Sequence, residues 1–282
     1  MTILYVTEQG ATVGLRRARL EVRKGRTLLD ALRLSKLERV VLCGNVQITS
    51  QAIRAALRHN VDVAMLNRGG AFVGRITGGR GKNIALRREQ FQRLEEPDFA
   101  LDLARRYVRG KLRNQRALLG RYQRTRRSER MARALVAIRL LLEQLPQAGD
   151  LDHLRGLEGR AAAEYFGALS AMISAPGIEF SRRLRRPPPD PVNILLSFGY
   201  TLLGNLVQGL VELAGADPYL GALHAPEWGR PSMALDLMEE WRPVVVDAAV
   251  LRTINKRIIR PKDFTPAEGE DAEEAEIGRA HV

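Results

Sequence analysis

One histidine and several carboxylates stand close together in residues 223–241, which read LHAPEWGRPSMALDLMEEW. His224 precedes a short segment of helical pattern that carries Asp236, Glu239 and Glu240. Asp236 and Glu239 are three residues apart and therefore share one face of a helix, whereas Glu240 is expected to be a surface acid. Two readings explain this pattern: a solvated turn with an acidic helix face, or a divalent metal site.

A further carboxylate, Glu158, falls on the apolar stripe of a helix predicted over residues 151–173. It lies four residues after Leu154 and three before Ala161, which both belong to that stripe. A buried carboxylate costs free energy unless a cation or hydrogen-bond donors compensate it, so Glu158 is a candidate site residue. Glu164 lies on another face of the same helix, where a surface ion pair explains it.

These side chains together offer one imidazole and two or three carboxylates, from His224, Glu158, Glu239 and Asp236. Such a set of mainly hard oxygen donors suits Mg²⁺ or Mn²⁺ better than structural zinc. Cys43 is the only cysteine, which excludes a disulfide framework and a zinc site built from several thiolates.

Positive charge is concentrated in one segment of a chain whose formal net charge is +13. Residues 105–139 contain 13 Lys or Arg and a single acid, Glu129. A solvated helix surface usually mixes both signs, whereas a surface of one sign favours binding to a phosphate backbone. The DNA-binding candidates are Arg105, Arg106, Arg109, Lys111, Arg113, Arg116, Arg121, Arg124 and Arg242. Arg242, directly after the acidic helix, either holds a phosphate or pairs with Glu239.

The pattern of apolar residues predicts an α+β protein of two domains. Short Val-, Ile- and Leu-rich segments predict strands at 3–8, 12–23, 39–43, 61–66 and 71–77. One helix, SQAIRAALRHN, is predicted among them with Ser50 as its N-cap, and NRGGAF predicts a hairpin connection. The predicted domains are a β domain at 1–84, an α-helical domain at 85–262 and an acidic, disordered tail at 263–282.

Helical periodicity dominates from about residue 85 onward. Helices are predicted along a long basic segment at 97–145 and at 151–173, 191–214, 232–241 and 243–256. In the helix at 232–241, Ser232 is the predicted N-cap and Met233, Leu237 and Trp241 the predicted core stripe. The uncharged run at 191–211 is long enough to suggest a membrane span. Polar residues recur in it at helical spacing, however, so we expect an amphipathic helix buried in the helical domain.

The two ends of the chain lead to separate expectations. MTILYVTEQG lacks the charged start and apolar run of a signal peptide, which predicts a cytoplasmic protein. The last seven residues, EIGRAHV, match the in-frame translation of a widely used sequencing adapter, so we expect this end not to be native.

Four motifs, in this order along the chain, resemble one known family. They are LRGLEGRAAAEYF, DPVNILLSFGYTLL, AGADPYLGALH and SMALDLMEEWRPVVVD. They are similar to motifs of the CRISPR-associated integrase of spacer acquisition, the first-numbered Cas protein, which is also called an endonuclease. The resemblance runs from the N-terminal β domain to about residue 262.

The resemblance implies a fold, a ligand set and partners. It implies a β-sandwich-like N-terminal domain, used for dimerisation, and an all-α catalytic domain. The family's metal ligands match Glu158, His224 and Glu239 here, and Asp236 matches a further acid at the family's site. It also implies homodimers, two of which flank a dimer of the small second Cas protein.

The activity implied is metal-dependent joining of prespacer 3′-hydroxyls to CRISPR repeat DNA by phosphodiester exchange. Family members usually continue with more helices after residues 261–266, so an inactive, truncated DNA-binding module is one alternative. A metal-dependent nuclease that cuts branched DNA is the other.

Overall fold

The computed structural model describes residues 2–68, 70, 72–78, 84–184, 188 and 190–264. Strands occupy the N-terminal part and helices the remainder, which confirms the predicted α+β class. The prediction of a disordered tail falls outside the described residues, except for residues 263 and 264.

Within the described residues, the strands form two four-stranded sheets. Their bounds are β1 Thr2–Val6, β2 Thr12–Arg16, β3 Arg19–Lys24, β4 Thr27–Arg33, β5 Leu37–Cys43, β6 Gln47–Ile48, β7 Asp62–Leu66 and β8 Phe72–Ile76. One sheet has the order β1-β5-β7-β8, and the other has the order β4-β3-β2-β6. Val63 of β7 and Val13 of β2 are fully buried in the same apolar cluster, so the inner faces of the sheets share a core.

The segment at 12–23, predicted as one strand, is a hairpin of β2 and β3. Arg17 and Ala18 form its turn with φ of 46° and 61°, a left-handed conformation usually adopted by Gly or Asn. Neither residue type is typical of such a turn, so the sequence pattern does not predict the break between β2 and β3. Strand β4 was also missed, because its first four residues are all exposed and show no alternation.

The helices contribute most of a second apolar cluster. Their bounds are α1 Ser50–Arg58, which lies among the strands, then α2 Ile84–Glu95, α3 Pro97–Arg126, α4 Glu129–Gln144, α5 Leu151–Leu169, α6 Pro191–Ala214, α7 Ser232–Glu239 and α8 Ala248–Asn255. A π-helical segment, Arg242–Asp247, joins α7 to α8. The side chains of Leu112, Ile138, Leu157 and Tyr165 are fully buried where α3, α4 and α5 pack together.

The basic segment predicted as one helix is divided between α3 and α4. Arg127 ends α3 in a left-handed conformation with φ of 46°, and its N–H donates to the carbonyl oxygen of Gln123 at 3.1 Å. The side-chain oxygen of Gln123 accepts from the N–H of Ser128 at 3.0 Å. This break lets Leu119 and Met131 enter the same core from separate helices.

Two predicted N-caps are one residue out of place. Thr49 rather than Ser50 caps α1, because its hydroxyl oxygen accepts from the N–H of Ala52 at 3.2 Å. Ser232 is the first residue of α7, and Pro231 precedes it as a cap without a side-chain hydrogen bond.

The predicted core stripe of α7 is confirmed for Met233 and Leu237, which pack half-buried against the apolar core, and is wrong for Trp241, which is 48% exposed. Ala234 and Met238 are buried together with Asp236 and Glu239. The acids of α7 therefore meet other polar groups inside the protein.

Helix α6 is long and apolar enough to cross a membrane by length and composition, with a mean hydropathy of 1.5 over Pro191–Glu212. Its polar side chains make contacts within the protein. Asn193 is fully buried and its side-chain oxygen accepts from Arg183 at 2.8 Å. Glu212 pairs with Arg75 of β8, so α6 also contacts the sheet that contains β8.

Candidate active site

The carboxylates of Glu158 and Glu239 converge on the ammonium group of Lys111. Lys111 lies on α3 and is 6% exposed, while the two acids come from α5 and α7. Its Nζ donates to Oε1 of Glu158 and lies 2.6 Å from Oε2 of Glu239. A single positive charge therefore occupies the space between two of the predicted site residues.

Glu239 is the more buried of the two acids, with 3% of its surface exposed. Burial alone would raise its pKa, but the charges of Lys111 and Arg242 outweigh burial and lower the pKa to about 2. The Nη1 atom of Arg242 lies 3.1 Å from Oε1 of Glu239. Glu239 is therefore an ionised carboxylate held inside the protein by two cations.

Asp236 fixes the orientation of His224. Asp236 is fully buried and accepts hydrogen bonds from the backbone N–H groups of Ala222, Leu223 and His224 at 2.6, 2.8 and 3.0 Å. Its Oδ1 also lies 2.6 Å from Nδ1 of His224. With Nδ1 as the donor, Nε2 of the imidazole keeps its lone pair for a ligand.

The close fit around Asp236 explains a glycine in the preceding turn. A Cβ atom on Gly221 would lie 2.7 Å from Oδ2 of Asp236, too close for any other residue without a shift. Asp236 acts on His224 and on this turn, so a positioning role fits it better than a place in the ligand set.

The carboxylate and imidazole groups of these side chains are chemically suitable ligands for a divalent cation. Two carboxylates already share one cation, and Oε2 of Glu239 is buried without a directed hydrogen bond, although it contacts Lys111. Among the described residues, however, no three His, Cys, Asp or Glu side chains meet closely enough to hold a metal ion. The structure therefore brings Glu158 and Glu239 together on Lys111 but does not bring His224 into the same cluster, and an ion bound by the two acids would displace the Lys111 ammonium.

The predicted DNA-binding residues of α3 separate into three groups by exposure. Arg106, Arg113, Arg116, Arg121 and Arg124 are exposed, and their spacing places them on one side of the helix. Arg105 and Arg109 are half-buried, and Arg105 donates to the carbonyl oxygen of Ala148 at 2.6 Å. Lys111 lies on the opposite, buried side with the site acids.

A further buried acid, Asp247, is not predicted from the sequence. It ends the π-helical segment, is 1% exposed and accepts hydrogen bonds from the hydroxyls of Tyr165 and Tyr200 at 2.7 and 2.6 Å. Burial raises its pKa to about 6, although these two hydrogen bonds act in the opposite direction. The signal was an acid within the apolar run VVVDAAV.

A family model and several curated proteins that match this chain all belong to the same family. A family model described as "CRISPR associated protein Cas1" matches residues 4–276. The chain is 38% identical over 286 residues to CRISPR-associated endonuclease Cas1 2 of Rhodospirillum rubrum, which covers 95% of this chain and 80% of the relative. It is 37% identical over 265 residues to CRISPR-associated endonuclease Cas1 3 of Thermus thermophilus, with 94% and 76% covered.

Solved structures share the fold. A CAS1 protein from Thermotoga maritima superposes with a TM-score of 0.80 at 23% identity, covering 95% of this chain and 83% of that one. A chain of a Cas6-RT-Cas1–Cas2 complex also superposes with a TM-score of 0.80, at 28% identity. The match covers 95% of this protein but 29% of that longer chain.

Proposed function

Because the chain belongs to the CRISPR-associated Cas1 family of endonucleases and integrases, we propose that it is a metal-dependent DNA integrase of CRISPR adaptation. The observation that carries this proposal is that Glu158 and Glu239 converge on the ammonium group of Lys111. Lys111 belongs to α3, the helix whose outer side carries the exposed arginines. Two carboxylates beside a track of positive charge suit the exchange of one phosphodiester for another.

The reaction we propose consumes no nucleotide triphosphate. The 3′-hydroxyl of a prespacer attacks a phosphodiester of the CRISPR repeat, a new phosphodiester forms, and the 3′-oxygen of the repeat strand leaves. A Mg²⁺ or Mn²⁺ ion held by Glu158, Glu239 and His224 would lower the pKa of the attacking hydroxyl and offset charge on the phosphoryl oxygens.

The chain's own residues bind and orient the substrate. Asp236 keeps the His224 imidazole in the tautomer that presents Nε2. The exposed arginines of α3 hold backbone phosphates, and this positioning supplies part of the rate. Arg242 neutralises Glu239 in the absence of DNA.

We propose two protein partners. The solved complex whose title names both Cas1 and Cas2 supports assembly of this chain with a small partner of the Cas2 type. Homodimerisation through the N-terminal sheets, and a hexamer of two such dimers around a partner dimer, remain proposals from the family resemblance.

A strand-transfer assay tests the function. A labelled duplex with free 3′-hydroxyls is incubated with a repeat-bearing plasmid, the Cas2-type partner and Mn²⁺. The wild-type protein should join label to plasmid, whereas the Glu158→Ala, Glu239→Ala and His224→Ala variants should not, with DNA affinity nearly unchanged. Glu164→Ala is the matched control, because Glu164 is exposed on the same helix.

The same assay distinguishes the alternatives. The relatives are named endonucleases, so a nuclease that cuts branched DNA without capturing it is a second candidate. Such a protein would nick the plasmid or cleave a branched substrate without joining the label. A non-catalytic DNA-binding module would show no metal-dependent change of either DNA.

A further inference from the structure

A small cavity beside Glu158 is lined partly by residues of the candidate metal site and partly by Gln115, Arg183 and Tyr200, to which that site gives no role. Its volume is about 60 Å³, and its walls include Lys111, Gln115, Glu158, Arg183, Tyr200 and Arg242. This volume accommodates several waters or one phosphate group and excludes a nucleoside. The cavity therefore suits a small polar or anionic group.

Two guanidinium groups of this wall rest on one aromatic ring. The Cζ atoms of Arg242 and Arg183 lie 4.9 and 5.5 Å from the centroid of the Tyr200 ring. Arg183 is further fixed by hydrogen bonds to Asn193 at 2.8 Å and Ser197 at 2.9 Å. The two cations are thus held in place before any ligand arrives.

The ring itself is anchored from inside the protein. The Tyr200 hydroxyl donates to Oδ1 of Asp247, and the Tyr165 hydroxyl donates to Oδ2 of the same carboxylate. Tyr165 lies on α5, two turns after Glu158 on the same side of the helix. This buried network therefore links the helix of Glu158 to the ring that carries both arginines.

Unsatisfied polar atoms belong to two of the residues that line this cavity. The Nε of Arg242 is buried without a hydrogen-bond partner, and so is Oε1 of Gln115, a residue that is 1% exposed. A charged donor left unpaired in a buried site costs free energy that a ligand oxygen recovers. Gln115 also lines the cavity, and its amide can donate to a ligand there after a 180° rotation that exchanges the oxygen and the NH₂ group.

We propose that this cavity is a phosphate subsite, in which a DNA phosphate next to the reacting one places a non-bridging oxygen against Arg242 and Arg183. Tyr200 and Asp247 act as positioning residues for the two guanidinium groups. The proposal rests on the proposed function for the identity of the strand, and it adds Arg183, Tyr200, Gln115 and Asp247 to the residues that serve the reaction.

A methylphosphonate scan tests the subsite. DNA duplexes carry one uncharged methylphosphonate in place of a phosphate, moved one position at a time along the strand near the joining point. For the wild-type protein complexed with its Cas2-type partner, we expect one position to weaken DNA binding and slow joining by about tenfold, as the loss of one charged hydrogen bond would. In Arg183→Gln and Arg242→Gln, the penalty at that position should fall below about twofold while penalties elsewhere persist.

Matched variants separate positioning from folding. Tyr200→Phe keeps the ring beneath the guanidinium groups and should retain most of the position-specific penalty, whereas Tyr200→Leu should lose it. Arg93→Gln removes an exposed arginine from α2 that pairs with Glu89, and its scan should match the wild-type scan. Melting temperatures of all variants show whether they are folded, and Arg242→Gln alone suffices if Arg183→Gln unfolds.

The scan also distinguishes this proposal from the proposed function. Joining that proceeds with equal penalties at every position, or with a penalty unchanged in both arginine variants, overturns the subsite and leaves the integrase intact; the cavity then holds water only. Absence of joining with every duplex overturns the integrase. The subsite survives that result if the binding penalty at one position is still lost in Arg242→Gln.

Discussion

The Lys111 ammonium lies between the Glu158 and Glu239 carboxylates, 2.6 Å from Oε2 of Glu239. A divalent ion bound by this pair of acids, as we propose, would therefore take over the neutralising role of Lys111. Lys111 already supplies a positive charge to the buried Glu239 and the half-buried Glu158.

Removing that lysine should make folding stability depend on metal. Lys111→Met leaves Glu158 and Glu239 facing each other without Lys111, and breaking a buried ion pair costs about 3–5 kcal/mol. We expect a lower melting temperature than wild type in a chelator, and a larger rise in melting temperature than wild type shows when Mn²⁺ is added. Equal rises in both proteins would mean that the two acids do not bind the ion.

Asp236→Asn should impair chemistry more than binding. Asparagine has one acceptor oxygen where Asp236 has two, so the imidazole of His224 loses its fixed tautomer. We expect joining to slow by about 10- to 100-fold with DNA affinity within twofold, measured by single-turnover joining and fluorescence anisotropy. Adding His224→Ala to this variant should reduce the rate by less than it does in wild type. Fully additive effects of the two substitutions would mean that Asp236 does not act through His224.

The arginine side of α3 should determine the salt dependence of DNA binding. Replacing Arg113 or Arg116 with Gln should lower affinity for unrelated duplexes alike, and the slope of log affinity against log salt should fall by about 0.9 for each phosphate that is no longer neutralised. Arg93→Gln is the control with an unchanged slope. A slope unaffected by Arg113→Gln and Arg116→Gln would show that this side of α3 faces something other than DNA.

Asp247 should make the protein less stable as the pH rises. Its pKa of about 6 exceeds the ordinary value of 3.8, so the folded state favours the protonated carboxyl. The stabilising contribution is complete below pH 3.8 and is lost as the pH rises through 6, by about 3 kcal/mol in all.

Asp247→Asn isolates that contribution, because asparagine does not titrate. In urea unfolding at pH 4 and pH 7, the free energy of unfolding of Asp247→Asn minus that of wild type should increase between the two values. A difference that stays constant, or decreases, would contradict the raised pKa of this carboxyl.

The sequence predicts one member of the Glu158–Lys111 ion pair as a site residue but not the other. Glu158 falls on an apolar stripe, which predicts burial. Lys111 lies three residues after Val108 and four before Gln115, which are both buried, so the same spacing places it inside as well. Its neighbours in sequence are arginines, and that pattern predicts DNA binding instead.

Other features depend on contacts that no local pattern encodes. The hydrogen bond between Tyr165 and Asp247 joins residues 82 positions apart. The apolar character of Trp241 predicts burial, yet this residue lies beyond the end of α7 and is 48% exposed. Lys111 and Arg242 neutralise Glu239 inside the protein, and helical periodicity alone does not predict those ion pairs.

Direct titration of Mn²⁺ tests the central claim, that Glu158, Glu239 and His224 hold one divalent ion. Calorimetry or electron paramagnetic resonance of the purified protein measures binding without any assay of activity. We predict saturable binding to the wild type and to Glu164→Ala, and affinity reduced by at least about tenfold in Glu158→Ala, Glu239→Ala and His224→Ala. Wild-type affinity in all three site variants would contradict the metal site and the mechanism that depends on it.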